Sequence, residues 1–175
     1  GITIDLTSPV VTGVAEGGFM SDVTTGDHYS IRFDGGDWSD DYITFGEYTD
    51  MELESFSFNV WLKFASLNVS WAQSIITKGA SGGTTPSHNG FLVKIDESSD
   101  IIRAYLTSSS GVNVNAYSGQ IATDQWYFLS VVVDRDNDRL QLYLNGSLQD
   151  DVDISQIGSF SNNGHLHLGN TYWPD

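Results

Sequence analysis

Cysteine does not occur among the 175 residues. Its absence excludes disulfides and thiolate zinc sites as sources of stability, and it leaves the redox compartment unreadable from the sequence. Basic residues are scarce: Lys and Arg number 7 against 23 Asp and Glu, a net charge of -16. A surface of that sign repels phosphate backbones and anionic membranes, which argues against nucleic acid or lipid headgroups as partners. It suits solubility, salty water included, and it favours cations. No apolar run approaches the ~20 residues that a membrane-spanning helix needs. Long amphipathic helices, internal repeats and interdomain linkers are also missing, so a chain of this length reads as one domain with a substantial core. It begins at Gly1 instead of Met, as expected of a processed precursor or an excised piece.

What the chain does have is short alternating segments separated by Gly, Asn, Asp and Ser. The stretch from Asp124 to Gly146 organises the rest. Trp126 to Val133 is aromatic and β-branched, Leu140, Leu142 and Leu144 alternate with Arg139, Gln141 and Tyr143, and the acidic residues Asp134, Asp136 and Asp138 lie between. This pattern predicts a hairpin, and Asn145-Gly146 predicts a further tight turn after it. Phe56 to Phe64 alternates most cleanly, with Phe56, Phe58, Val60, Leu62 and Phe64 on one face, and is expected to be a central core strand. Further strands are expected at Tyr29–Phe33, at Ile43–Phe45, from Ile75, at Phe91–Ile95 and Ile101–Tyr105, and around Val112–Ala116. Residues 150–163 read mainly as connection, with a helical turn at Ile154–Ile157. Many short strands and tight turns point to an all-β chain of two packed antiparallel sheets.

A Trp-led strand, an acidic hairpin turn and a strand closing on Leu-Tyr-Leu-Asn-Gly together resemble the laminin-G-like, concanavalin A-like jelly-roll superfamily. FDGGDWSDDYITF at 33–45, FSFNVWLKF at 56–64, GFLVKID at 90–96 and LHLGN at 166–170 agree with it in order. The resemblance covers about residues 29–170 and implies a two-sheet antiparallel jelly-roll β-sandwich over 29–175. Residues 1–28 precede it as a short strand, ITIDLTSPV, and an irregular arm. Function is left open by the resemblance, because the superfold hosts lectins, adhesion domains, enzymes and structural modules.

Catalysis is not supported by the residues. The laminarinase-type branch carries its carboxylates in an E-x-D-x-x-E pattern, which this sequence lacks. Glu52 and Glu54 precede the core strand, and Asp151 and Asp153 fall in the expected connection. His165 and His167 project to one side of their strand, as a metal pair would, and read as two polar rings on an outward face. Asp134, Asp136 and Asp138 mimic the start of an EF-hand loop, but Arg139 and Asn145 stand where its Gly and Glu belong. Asp34, Asp37, Asp40 and Asp41 make the better calcium candidate, four carboxylates on one Gly-containing loop. Trp38, Trp71, Tyr117, Tyr172 and Trp173 lie in or near expected loops and are the candidate sugar-stacking residues, since a pyranose presents C–H groups to an aromatic plane. Trp61 and Trp126 match positions that the resemblance makes structural, and they stand outside this expected site. Sequons occur at Asn68 and Asn145.

Three functions compete at this stage. The first is a non-catalytic extracellular, cell-surface or virion-surface module that recognises a glycan, with calcium assisting. The second is a structural subunit of a surface filament or virus particle. The third is a glycoside hydrolase, disfavoured by the missing motif. Related domains usually continue past the LHLGN strand into one more strand, so either residues 1–10 complete a sheet, in their own domain or in a neighbouring subunit as a homo-oligomer, or the chain is a piece whose further strand lies beyond Asp175.

Overall fold

The computed structural model describes residues 42–47, 54–67, 73–79, 89–96 and 99–169, together with Ile31 and Phe33. Ten strands lie within them: β1 (Ile43–Glu47), β2 (Phe56–Lys63), β3 (Ser74–Lys78), β4 (Gly90–Asp96), β5 (Ile101–Thr107), β6 (Asn113–Gln120), β7 (Trp126–Asp134), β8 (Arg139–Leu144), β9 (Ser147–Asp153) and β10 (His165–Leu168). They form an antiparallel six-stranded sheet, β1-β10-β3-β4-β5-β6, and an antiparallel four-stranded sheet, β2-β7-β8-β9. The expected two-sheet sandwich is therefore present.

Period-2 alternation builds the layer between the sheets. Leu129, Val131 and Val133 of β7 and Leu140 and Leu142 of β8 meet Val93 and Ile95 of β4 and Ile102, Ala104 and Leu106 of β5 in one buried cluster. Each buried aliphatic side chain of this kind contributes about 1.5–3 kcal/mol before chain entropy opposes it. Phe56 packs edge-on to Phe91 of the other sheet, with ring centroids 5.4 Å apart.

Turns sit where the sequence put them. Asp134 accepts bonds from the backbone N–H of Asp136 and Asn137 at 3.1 Å and from Asn137 Nδ2 at 2.8 Å, and Asp138 takes a φ of 54°. This local bonding closes the β7–β8 hairpin. The Asp134 carboxyl is held below the usual range by the Asn137 amide and by those backbone donors, so the EF-hand likeness resolves into a self-bonded turn. Asn145 and Gly146 take φ values of 53° and 78°, the two left-handed residues of a type I′ turn between β8 and β9.

Two expectations are corrected. β2 is an end strand of the four-stranded sheet among the described strands, not a central one. Residues 150–153 are not connection; they continue β9, and Ile154–Ile157 is a single turn closed by an Ile157 N–H to Ile154 carbonyl bond of 2.8 Å instead of a helical turn. No helix among the described residues is long and apolar enough to cross a membrane.

Two hydrogen-bonded links tie segments distant in sequence. The buried Lys78 ammonium donates to the Asn162 carbonyl at 3.0 Å, to Asn162 Oδ1 at 3.3 Å and to the Gly164 carbonyl at 2.9 Å. Asn162 Nδ2 returns bonds to the carbonyls of Lys78, Asn89 and Phe160. Gly79 makes room for this side chain, since a Cβ there would lie 2.1 Å from Asn162 Cγ. Where β6 and β9 are the last described strands of their sheets, Asp150 Oδ2 accepts from the Tyr117 N–H at 3.0 Å and Gln149 Oε1 from the Gly119 N–H at 3.1 Å.

Candidate functional site

The outer face of the four-stranded sheet carries the most exposed aromatics among the described residues. Alternation in β2 and β7 turns Phe58, Tyr127 and Leu129 inward, and the same parity turns Trp61, Lys63, Trp126 and Phe128 outward. Trp61 is 62% exposed and Trp126 49%. In the register, Trp61 stands opposite Phe128 and Lys63 opposite Trp126. The Trp61 and Phe128 rings lie 5.2 Å apart at 41°, and Lys63 Nζ sits 5.4 Å from the Trp126 ring centroid. Local chemistry fixes the platform. Asn145, held by its turn, donates its N–H to the Phe128 carbonyl at 2.8 Å and accepts the Phe128 N–H on Oδ1 at 2.9 Å. The Asn-Gly turn thereby pins the strand position from which the Phe128 ring projects toward Trp61.

Polar groups continue the face away from the rings. Asn59 stands opposite Ser130 and Ser130 opposite Tyr143, while Ser57, Val132 and Gln141 form the next row. Tyr143 Oη donates to Gln141 Oε1 at 3.1 Å. Farther along, Arg139 Nε donates to Asp151 Oδ1 at 2.7 Å. That bond holds the Asp151 carboxyl below the usual range, and Ser155 does the same to Asp153. A glycosidase acid needs the opposite shift.

A second candidate lies on the six-stranded sheet, on the face turned away from the core. Pairing sets Lys94 opposite Arg103 and Arg103 opposite Tyr117, with Leu92, Tyr105 and Asn115 in the neighbouring row. The Arg103 guanidinium carbon is 4.0 Å from the Tyr105 ring centroid and 5.2 Å from that of Tyr117, and its Nη1 is 3.4 Å from Asp96 Oδ2. Lys94 and Tyr105 are buried here, whereas Tyr117 is 38% exposed.

Of the residues that sequence reading nominated, Tyr117 stands on this second face, within β6 instead of in a loop. Trp38, Trp71, Tyr172 and Trp173 lie outside the described residues, as do Asp34, Asp37, Asp40 and Asp41 and the strand expected at residues 1–10. Among the described residues no group of three or more His, Asp or Glu is placed to hold a metal. Trp61 and Trp126, read as structural, are surface residues. The alternation already sets Trp61 on the face opposite Phe58; it is the resemblance that put Trp61 and Trp126 outside the expected site.

Residues 34–175 match a laminin G family profile described as the concanavalin A-like lectin/glucanases superfamily. A curated relative, the non-toxic nonhemagglutinin type C of Clostridium botulinum C phage, is 24% identical over 123 residues, which is 70% of this chain and 10% of the relative. Among solved structures, the botulinum neurotoxin serotype D binding domain superposes with a TM-score of 0.60 at 17% identity, over 78% of this chain and 34% of that one. The serotype D ligand-binding domain in complex with N-acetylneuraminic acid gives 0.59 at 16% identity, over 74% and 32%. The Ruminococcus gnavus IT-sialidase CBM40 bound to α2,3 sialyllactose gives 0.55 at 18% identity, over 69% and 65%. The chain thus spans about a tenth of the curated relative and about a third of the toxin domains, and the structural likeness at these identities establishes the fold.

Proposed function

Since the chain belongs to the concanavalin A-like lectin/glucanases superfamily, whose fold serves binding and catalysis alike, we propose that it is a non-catalytic glycan-recognition module of a secreted, cell-surface or particle-surface protein. The observation that carries this reading is the aromatic platform of Trp61, Phe128 and Trp126, exposed on a rigid sheet and bordered by amide and hydroxyl groups. An indole plane offers a sugar's C–H face a contact that water does not, and neighbouring polar groups fix the hydroxyls. The sialic acid and sialyllactose bound by two of the similar domains support a glycan as the class of partner. Calcium assistance through Asp34, Asp37, Asp40 and Asp41 belongs to the same proposal and rests on the sequence.

A glycan array probed with the intact chain, with calcium and with chelator, tests the reading. Binding to a defined sugar class that Trp61→Ala weakens on the order of tenfold, the loss of one stacking contact, is the expected result. An array that stays silent in both buffers removes glycan recognition.

A further inference from the structure

The shape of the aromatic face says what kind of glycan it suits. A site for a terminal sugar surrounds the ring, as small-ligand pockets bury most of the ligand they hold. Here the opposite holds: Trp61 at 62% and Trp126 at 49% exposure stand on an open sheet, and a ring laid on either is held from one side. One such contact is weak, so useful affinity requires several sugars of one chain to engage in series.

The face is built for that. Outward side chains recur every second residue along β2, so Lys63, Trp61, Asn59 and Ser57 span roughly 20 Å at about 3.3 Å per residue. β7 supplies Trp126, Phe128, Ser130 and Val132 alongside them in register. The aromatic rows come first and the amide and hydroxyl rows follow, so successive rings of one sugar chain meet stacking at one end of the face and hydrogen bonding at the other. Charge selects further. The net charge of -16 repels a polyanion. Lys63 stands over Trp126, and Arg139 is engaged by Asp151, so these two cations do not make a row that would track acidic groups.

Resting on the glycan-recognition reading, we propose that the outer face of the four-stranded sheet binds the interior of a neutral, linear polysaccharide lying along β2 and β7. This differs in ligand and in location from recognition of a terminal acidic sugar at the Arg103 face.

The test uses the intact chain and Trp fluorescence titration with neutral plant and bacterial polysaccharides, their oligosaccharides from disaccharide to hexasaccharide, and α2,3 sialyllactose. Affinity is expected to rise with each added unit until the face is filled. Trp61→Ala and Trp126→Ala should each weaken the longest ligand on the order of tenfold, the loss of one stacking contact. Trp61→Tyr should keep most of the binding, and Tyr117→Ala should leave it unchanged, with melting temperatures confirming that all variants fold. Tight binding of sialyllactose that survives Trp61→Ala and fails in Tyr117→Ala overturns the proposal while keeping glycan recognition. Absence of all sugar binding overturns both, and a Trp61→Ala change in mass by light scattering would then make the face a contact between copies of the chain.

Discussion

At the scale of single residues, His167 shows how much two side chains of one strand can differ. It is buried on β10, edge-on to Tyr42 at 5.4 Å and 5.9 Å from the His165 ring, whereas His165 is exposed and reaches Thr44 Oγ1 at 3.4 Å. Burial, and then the neighbouring His165, push the His167 pKa below 6.5. A histidine that resists protonation when folded contributes its full stability above the unfolded value, and loses it as pH falls from there toward the folded value. The melting temperature is therefore expected to decline on acidification below pH 6.5, and a pH series on His167→Gln should lack that decline. Asp134, Asp151 and Asp153 act in a separate window, since their carboxyls are held below 3.8 by hydrogen bonds. Their contribution is present above that value and lost beneath it. The alternation placed both histidines on one side correctly, but depth was not legible. His167 is flanked by β1 and β3, while the strand end leaves His165 open.

Elements follow local rules more closely than they follow their expected neighbours. The Asn145-Gly146 turn was readable because two left-handed residues are what a two-residue hairpin loop demands. Gly146→Ala would force a Cβ into that conformation and is expected to cost about 1–2 kcal/mol in chemical denaturation. Gly79→Ala should cost more, on the order of 3 kcal/mol, because it combines a φ of +71° with collision against Asn162. β9 escaped sequence reading for a specific reason. A register shift between the partners of Leu142 and Tyr143 pairs Leu142 with Asp150 and Tyr143 with Leu148, so Leu148 faces out and Val152 faces in. An irregularity of this kind breaks the period-2 signal on which strand assignment depends. The position of β2 was hidden differently: alternation reports which face is buried and is silent on which strand lies alongside.

At the scale of the molecule, the architecture was legible because five ordered stretches matched a known jelly-roll: β2, β4 and β10 fall on three of them, β7 and β8 on the organising hairpin, and β1 begins at the end of the fifth. The aromatic face of the four-stranded sheet was less legible, since the resemblance makes Trp61 and Trp126 structural while they are 62% and 49% exposed. Calcium remains a proposal with a stability readout. A cation that binds the folded state stabilises it by mass action, about 2.7 kcal/mol at a hundredfold excess over its Kd. Millimolar calcium should raise the melting temperature relative to chelator, and Asp37→Asn with Asp40→Asn should remove the rise; an unchanged temperature in the intact chain eliminates the cation.

The bonds from Asp150 and Gln149 to the Tyr117 and Gly119 amides have a consequence for polymerisation. A sheet's last strand ordinarily displays backbone donors that template a foreign chain, the first step toward fibrils. Here two side chains of β9 occupy the Tyr117 and Gly119 donors of β6, the last strand of its sheet among the described residues, and a foreign strand would have to displace them to pair there. Asp150→Ala combined with Gln149→Ala is expected to leave the core intact yet shorten the lag before thioflavin-positive aggregates form under mild agitation. An unaltered lag would place the protection elsewhere.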